Sequence, residues 1–420
     1  MQRVCTRGRM ESAGTASEGS GGDLEYLLRL LHWAGTLRHP RAGLWSSRAF
    51  YARKALVMAA VVLFLSSHAA VIVLEGTADL DRFTRALCFF NTSFIWLLRL
   101  THVAVRERRF HAMVLQMGSD FVEFVTRRDA ALLSMRGRSL RRFVLAYLSF
   151  GAVAGIGWDV FPLVRYGVCS EGLPFYMALP YSVDQPLAFA ATWLFCFCIT
   201  MHVAVITMVF DSYNVSLMAQ LRQQLSVLSG NIRTLADEGG RELLPVAYSS
   251  QTMKSPTHVK SNHLRHRLRS IIRHHQAIIR NVESLEECLG SMLLGQSLSI
   301  GASICFQLFQ VATSAESLAE AGKFGCYLSV MLAQLFVYCW FGDDLITESE
   351  KVSAAVYSTV TSLEGCPVSL KRSLLLMMTR AQRPLHITAG GFFDLSRESF
   401  VNVLNVSYSF FAILRNFKEE

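Results

Sequence analysis

His263, His266, His274 and His275 form the chain's one histidine cluster. On a helix the i, i+3 pair puts two imidazoles on one face, a geometry that can hold a metal ion. No carboxylate or thiolate completes a ligand set, and Arg265, Arg267, Arg269, Arg273 and Arg280 adjoin or intervene, so no metal is expected. The same stretch reads as a basic amphipathic helix, by default solvated, with anionic membrane lipid and calmodulin as the partners such a helix could meet. Asp343 and Asp344 are adjacent, so on a helix they diverge by about 100° and make a poor acid/base pair. The ten cysteines are scattered, mostly inside apolar runs, without the CxxC spacing of a zinc or redox site. HExxH, GxSxG and a phosphate-cradling glycine loop are all absent from the sequence. The chain is expected to be neither an enzyme nor a cofactor carrier.

What must be positioned is therefore apolar surface. Of 420 residues 52% are hydrophobic and 17% charged, and the mean hydropathy is +0.32; a polytopic, all-α membrane protein is expected. The net charge of +9 sits in blocks beside apolar runs and not on a compact face, which argues against a nucleic-acid partner. Stretches near the length needed to cross a bilayer fall at 55–74, 84–105, 143–161, 187–210, 289–312, 324–341 and 398–417. Arg99 and His102, in the final turn of the second, read as an end signal snorkelling to the headgroups. Residues 1–23 lack an apolar h-region.

Lys and Arg crowd the N-terminal segment and the second, fourth and sixth connections, whereas the alternate connections hold little beyond Arg82, Arg165 and Lys323. That asymmetry predicts a cytosolic N-terminus and an extracellular C-terminus, the reverse of a G-protein-coupled receptor. The N-x-S/T matches at Asn91, Asn214 and Asn405 then fall where no glycan is added. The organisation expected is a disordered tail over 1–23, a cytosolic or interfacial helix over 24–54, six spans over 55–341 with long cytosolic connections at 106–142 and 211–288, an anchor segment over 342–397, and a seventh helix over 398–417. Leu217, Leu221, Leu225 and Leu228 extend the fourth span as a protruding helix, 237–261 reads as a flexible loop, and Leu264, Leu268, Ile271 and Ile278 resume a helix leading into the fifth span.

From Tyr338 onward the sequence resembles the insect odorant receptor family. The resemblance is carried by Tyr338, Cys339, Trp340, Phe341, Gly342, Glu348, Ser349 and Tyr357, then Arg380, Gln382, Pro384, Thr388, Ala389, Gly390, Phe393 and Ser396, and finally Leu404, Ser407, Tyr408, Ser409 and Phe410. Leu173, Pro174, Pro180 and Pro186 resemble the family's outer loop, and Leu28 to Pro40 its first short helix; Thr361 departs from the tryptophan common there. The resemblance implies an odorant-gated cation channel, tetrameric, with the last span of each subunit lining the pore. A connection between the fourth and fifth spans shorter than the co-receptor's, and the ending Arg415, Asn416, Phe417, Lys418, imply the odorant-tuning subunit that pairs with a co-receptor in a heteromeric tetramer. The implied location is the plasma membrane of olfactory sensory neuron dendrites. A gustatory receptor of the same superfamily is the alternative, and a G-protein-coupled chemoreceptor a more distant one.

In the last span, Val406, Phe410, Ile413 and Phe417 recur at about 3.5 residues, one apolar stripe that could gate a pore by dewetting or could face lipid or another helix. Asn402, Asn405 and Ser409 lie off it. By the resemblance, Ile413, Asn416 and Phe417 match constriction positions, and Arg415 is expected to point away from the axis. For a small volatile ligand, Phe90, Phe94, Gly151, Ala154, Trp158, Phe189 and Trp193 on the second to fourth spans combine aromatic and small side chains, and Tyr327 and Met331 on the sixth could close the pocket. Ordinary helix packing explains the same residues equally well.

Overall fold

The computed structural model describes residues 24–39, 43–75, 80–125, 127–242, 256–313, 318–363 and 367–419. The expected tail over 1–23 lies outside them, as do residues 243–255 of the expected loop, whose described ends at 237–242 and 256–261 are helical and extend the flanking helices instead.

Where leucine, alanine and phenylalanine run on, the helices are long, and the one over Arg127–Tyr166 continues through Pro162 near its end. A short α1 (24–33) precedes α2 (Leu44–Glu75), α3 (Leu80–Val105), α4 (Glu107–Phe124) and α5 (Arg127–Tyr166). After a 3₁₀ turn at Ser170–Gly172 come α6 (Pro186–Glu242), α7 (Pro256–Thr313), α8 (Leu318–Ser362), α9 (Val368–Ala381) and α10 (Arg397–Glu419). The only strands among the described residues, β1 (Thr388–Ala389) and β2 (Phe393–Asp394), form an antiparallel hairpin. Its turn is made by Gly390 and Gly391 at φ 61° and 80°, left-handed values that side chains with a Cβ resist.

Among the described residues six helices are long and apolar enough to cross a membrane: Trp45–Leu74, Leu80–Val105, Met135–Tyr166, Pro186–Leu235, Asn262–Thr313 and Leu318–Ser362. They cover the first six expected spans. The seventh, α10, is not among them, because Asn402, Asn405, Ser407 and Ser409 dilute its apolar content. α7 is the centre of the bundle: 61% of its apolar window is buried, against 28% for α2. Leu56, Val62, Leu63, Val73 and Leu74 of α2 stand exposed, as expected for a helix turned toward lipid.

At 58 residues, α7 is about 87 Å long, nearly three times an apolar bilayer thickness. Its excess, with those of α6 and α8, builds an anchor half in which Leu221, Leu225, Leu228 and Ile232 pack with Leu268, Ile278, Leu285, Val352 and Leu374. The apolar face of the basic helix is thus already buried by its own chain, and Leu264, Leu268 and Ile271 are not free to enter a calmodulin groove. His263 and His266 are exposed, whereas His274 and His275 are buried in that packing. The departure at Thr361 costs no core packing, since its side chain is exposed and bonds to backbone carbonyls of its own helix.

Candidate functional site

The end of the bundle beside the 167–185 loop encloses a cavity of about 310 Å³. α3 contributes Phe89, Thr92, Ser93, Trp96 and Arg99, the i, i+3, i+4, i+7 stripe of one helical face. α5 contributes Gly151, Ala154, Gly155 and Trp158. Gly151, Ala154 and Gly155 are small where α6 comes near: a Cβ on Gly151 would stand 2.7 Å from Met208 Cγ, so a larger residue there would displace that methionine from its place in the wall. α6, α7 and α8 complete it with residues including Val203, Ser299, Tyr327, Met331 and Gln334, and Phe175 from the loop covers the end. Around Trp158 the rings of Phe89, Phe175, Phe324 and Tyr327 pack with centroids 4.9–6.4 Å apart, within the range in which aromatic pairs add to simple burial.

Of the residues singled out for a ligand, Gly151, Ala154, Trp158, Tyr327 and Met331 come together on this wall. Phe90 and Phe94 do not; they stack on each other at 5.9 Å, and Phe94 is exposed. A single residue step rotates a helical side chain by about 100°, which is why Phe89 faces the cavity where Phe90 faces away. Phe189 is buried against the 3₁₀ turn at Gly172, and Trp193 stacks on Phe197 and donates its indole N–H to the Asp159 carbonyl at 3.3 Å. The signal that could have found Phe89, Thr92, Ser93 and Trp96 was the stripe they share with Arg99.

The expectation that Arg99 snorkels to the headgroups is corrected. It is 7% exposed and closes the far end of the cavity, donating from Nη2 to Asp211 Oδ1 at 2.8 Å and to Gln296 Oε1. Asp211, fully buried, also accepts from Tyr338 Oη at 2.8 Å and from Gln334 Nε2 at 2.5 Å, and Asn214 Nδ2 donates to Tyr338 Oη at 3.1 Å. A charge pair removed from water persists only when its remaining bonding capacity is met, and here α3, α6, α7 and α8 each supply a member. His102 likewise turns inward, to the Cys288 carbonyl at 2.9 Å. Asp159 is a further fully buried acidic side chain inside the third expected span.

α10 packs one face on α7 and α8. Ser407 is buried there, donating to the Gly301 carbonyl at 3.0 Å, with Val403 beside Gly301. Val406, Phe410 and Ile413 are 51–59% exposed on one flank, and Asn402, Asn405, Ser409 and Asn416 are exposed opposite the packed face. These three stripe residues are therefore left about half uncovered by their own subunit. The Phe417 side chain lies outside the described residues. Arg415 is exposed, and two residues from Ile413 it stands about 200° around the helix from it. At the base of α10, Arg397 pairs with Asp343 (3.1 Å) and Asp344 (3.4 Å) and covers the Trp340 ring at 4.0 Å. The two aspartates, unsuited to acid/base work, tie α10 to α8.

The sequence pattern of the family described as 7tm Odorant receptor matches residues 79–408. The chain belongs to that family of odorant receptors. Among similar proteins, Odorant receptor 10 of Aedes albopictus is 27% identical over 337 residues, covering 79% of this receptor and 82% of that one. Odorant receptor Or2 of Anopheles gambiae is 24% identical over 329 residues, covering 77% and 81%. The fold resembles the solved olfactory receptor OR5 of Machilis hrabei in complex with eugenol, with TM-score 0.78 at 13% identity over 94% of this receptor and 97% of that one. The receptor is a membrane protein and not an enzyme.

Proposed function

We propose that this odorant receptor is the odorant-tuning subunit of a ligand-gated, non-selective cation channel, assembled with a co-receptor in a heteromeric tetramer. It sits in the plasma membrane of olfactory neuron dendrites with its N-terminus in the cytosol. The observation that carries the reading is the cavity behind Trp158: about 310 Å³, walled by aromatic, methionine and small side chains with few polar groups. Burying a volatile's apolar surface there supplies affinity at roughly 25 cal/mol per Å². The Lys and Arg asymmetry supports the orientation, and the half-uncovered flank of α10, with its apolar stripe beside a polar line, supports a pore-lining role for Val406, Phe410, Ile413, Asn416 and Phe417.

The test is whole-cell current in cells expressing this chain with an insect co-receptor, against each alone, during an odorant panel with G-protein signalling blocked. A rapid cation current that needs both chains and is lost in Ala154→Trp, at unchanged surface level, supports the reading. A response abolished by the G-protein block rejects it.

A further inference from the structure

Lys323 is the one lysine at the cavity. It lines the main cavity and also a second of about 350 Å³ that opens on the loop side, the two sharing Phe89, Trp158, Phe161 and Phe175 as a wall. Its ammonium sits 4.1 Å from the centre of the Trp158 ring, and among the described residues no group accepts a hydrogen bond from it. The buried side-chain atoms without a partner that belong to lining residues are Trp158 Nε1 and Gln296 Nε2. Both are N–H donors. The orientation of the Gln296 amide is fixed, because its Oε1 accepts from Arg99 and the reverse would set donor against donor. The hydroxyls of Thr92, Thr200 and Tyr327 are already engaged by the protein. Lys323 and Trp158 near the loop and Gln296 near Arg99 thus present N–H groups that no protein acceptor meets. Lys323 and Gln334 mark the two ends of the cavity on α8, eleven residues and about 16 Å apart along the helix axis.

The charges decide what kind of acceptor suits it. Arg85 repels the Lys323 ammonium, and Asp159 and Glu320 attract it, so two carboxyl groups of the protein already act on the one lysine. A carboxylate ligand would add an uncompensated charge in an apolar site, and an amine would meet donors with a donor. We infer that the receptor is tuned to neutral volatiles whose apolar body carries a carbonyl oxygen, as in a ketone or ester, with Lys323 donating to that oxygen. The carbonyl takes up a donor that the empty protein leaves unmet, while the alkyl body fills the aromatic wall.

This rests on the cavity being the odorant site, and the experiment separates the two. The purified complex with its co-receptor is titrated with methyl ketones and alkyl acetates, from pentyl to decyl, against the matched alkanes, alkylamines and alkanoic acids. Thermal stabilisation and channel current are both read. The ketones or acetates are expected to bind at least tenfold more tightly than matched alkanes, the ratio for one hydrogen bond to a charged donor. Lys323→Met should remove about that factor while leaving alkane binding unchanged, and Lys323→Arg should retain part of it. Ala154→Trp should abolish every class. Equal binding of all classes, or a preference for amines or acids, overturns the carbonyl inference and leaves the site standing. Binding that survives Ala154→Trp, or no binding by any member of the series, overturns both.

Discussion

The residue with the largest structural consequence is Arg99, which the sequence places in the last turn of a span and the fold turns inward onto Asp211. Removing one partner of such a pair strands the other charge, at a cost of about 3–5 kcal/mol. Arg99→Met should therefore sharply reduce surface expression and the melting temperature of the purified complex. Arg99→Met with Asp211→Asn should recover much of the loss, a coupling that a double-mutant cycle measures. Additive effects would show that the two do not act as a pair. Sequence alone could not show it, since 112 positions separate the two and no local spacing relates them. The same limit explains Phe89 and Phe90: periodicity marks the second span as a helix, but which face turns inward depends on partners from α5 and α8. What was legible was length and hydropathy, and with them six spans, the long helices below them, and the small residues Gly151 and Ala154.

A second consequence at this scale is pH. His274 and His275 precede the 289–312 span, in the anchor. Burial, then the neighbouring His275, pushes His274 from 6.5 down to about 3; burial, then Arg380, pushes His275 down to about 4. His274 shares a hydrogen bond with Gln224 Oε1 at 2.5 Å and stacks on Phe124 at 4.6 Å. Both imidazoles are neutral in the fold and take up protons near 6.5 when unfolded. The unfolded state thus binds more protons between 6.5 and about 3, and stability that is whole above 6.5 falls as pH drops through that window. The melting temperature of the complex should decline from pH 6.5 to 5, and less so in His274→Gln with His275→Gln. A rise on acidification would contradict the assignment.

At the scale of elements, α8 carries most of the connections. It lines the cavity through Lys323, Tyr327, Met331 and Gln334, crosses the buried network at Tyr338, and holds α10 through Trp340, Asp343 and Asp344. The sequence resemblance flagged the segment from Tyr338 to Tyr357 without giving a reason. The structure supplies one, since Gly342 leaves room for the Leu395 carbonyl beneath it and Ser349 Oγ accepts from the Leu385 N–H at 2.8 Å. If ligand occupancy at Met331 and Gln334 reaches α10 along this helix, loosening its far end should change gating without changing binding. Arg397→Ala leaves the cavity intact and frees the base of α10. It should raise ligand-independent current or shift the half-maximal odorant concentration several-fold, with thermal stabilisation by the odorant unaltered. Arg397 is half exposed, so overall stability should change little. Unchanged gating in this variant would place the coupling elsewhere.

At the scale of the whole molecule, one subunit leaves α10 half covered. Val403 and Ser407 face α7, while the opposite side shows Asn402, Asn405, Ser409 and Asn416 beside the stripe of Val406, Phe410 and Ile413. A surface-exposed helix of a membrane protein that met only lipid would not carry four polar side chains in line, because their hydrogen bonds would go unmet in hydrocarbon. A water-filled axis shared with other subunits would meet them, and the apolar stripe at its edge could empty that axis when the helices close. Single cysteines along α10, treated with a cationic thiol reagent during co-receptor-dependent current, test the arrangement. Asn402→Cys, Asn405→Cys and Ser409→Cys should lose current irreversibly. Phe410→Cys and Ile413→Cys should do so only while odorant is present, and Ser407→Cys should stay silent. Modification confined to the α7-facing side, or spread evenly around the helix, would remove α10 from the pore.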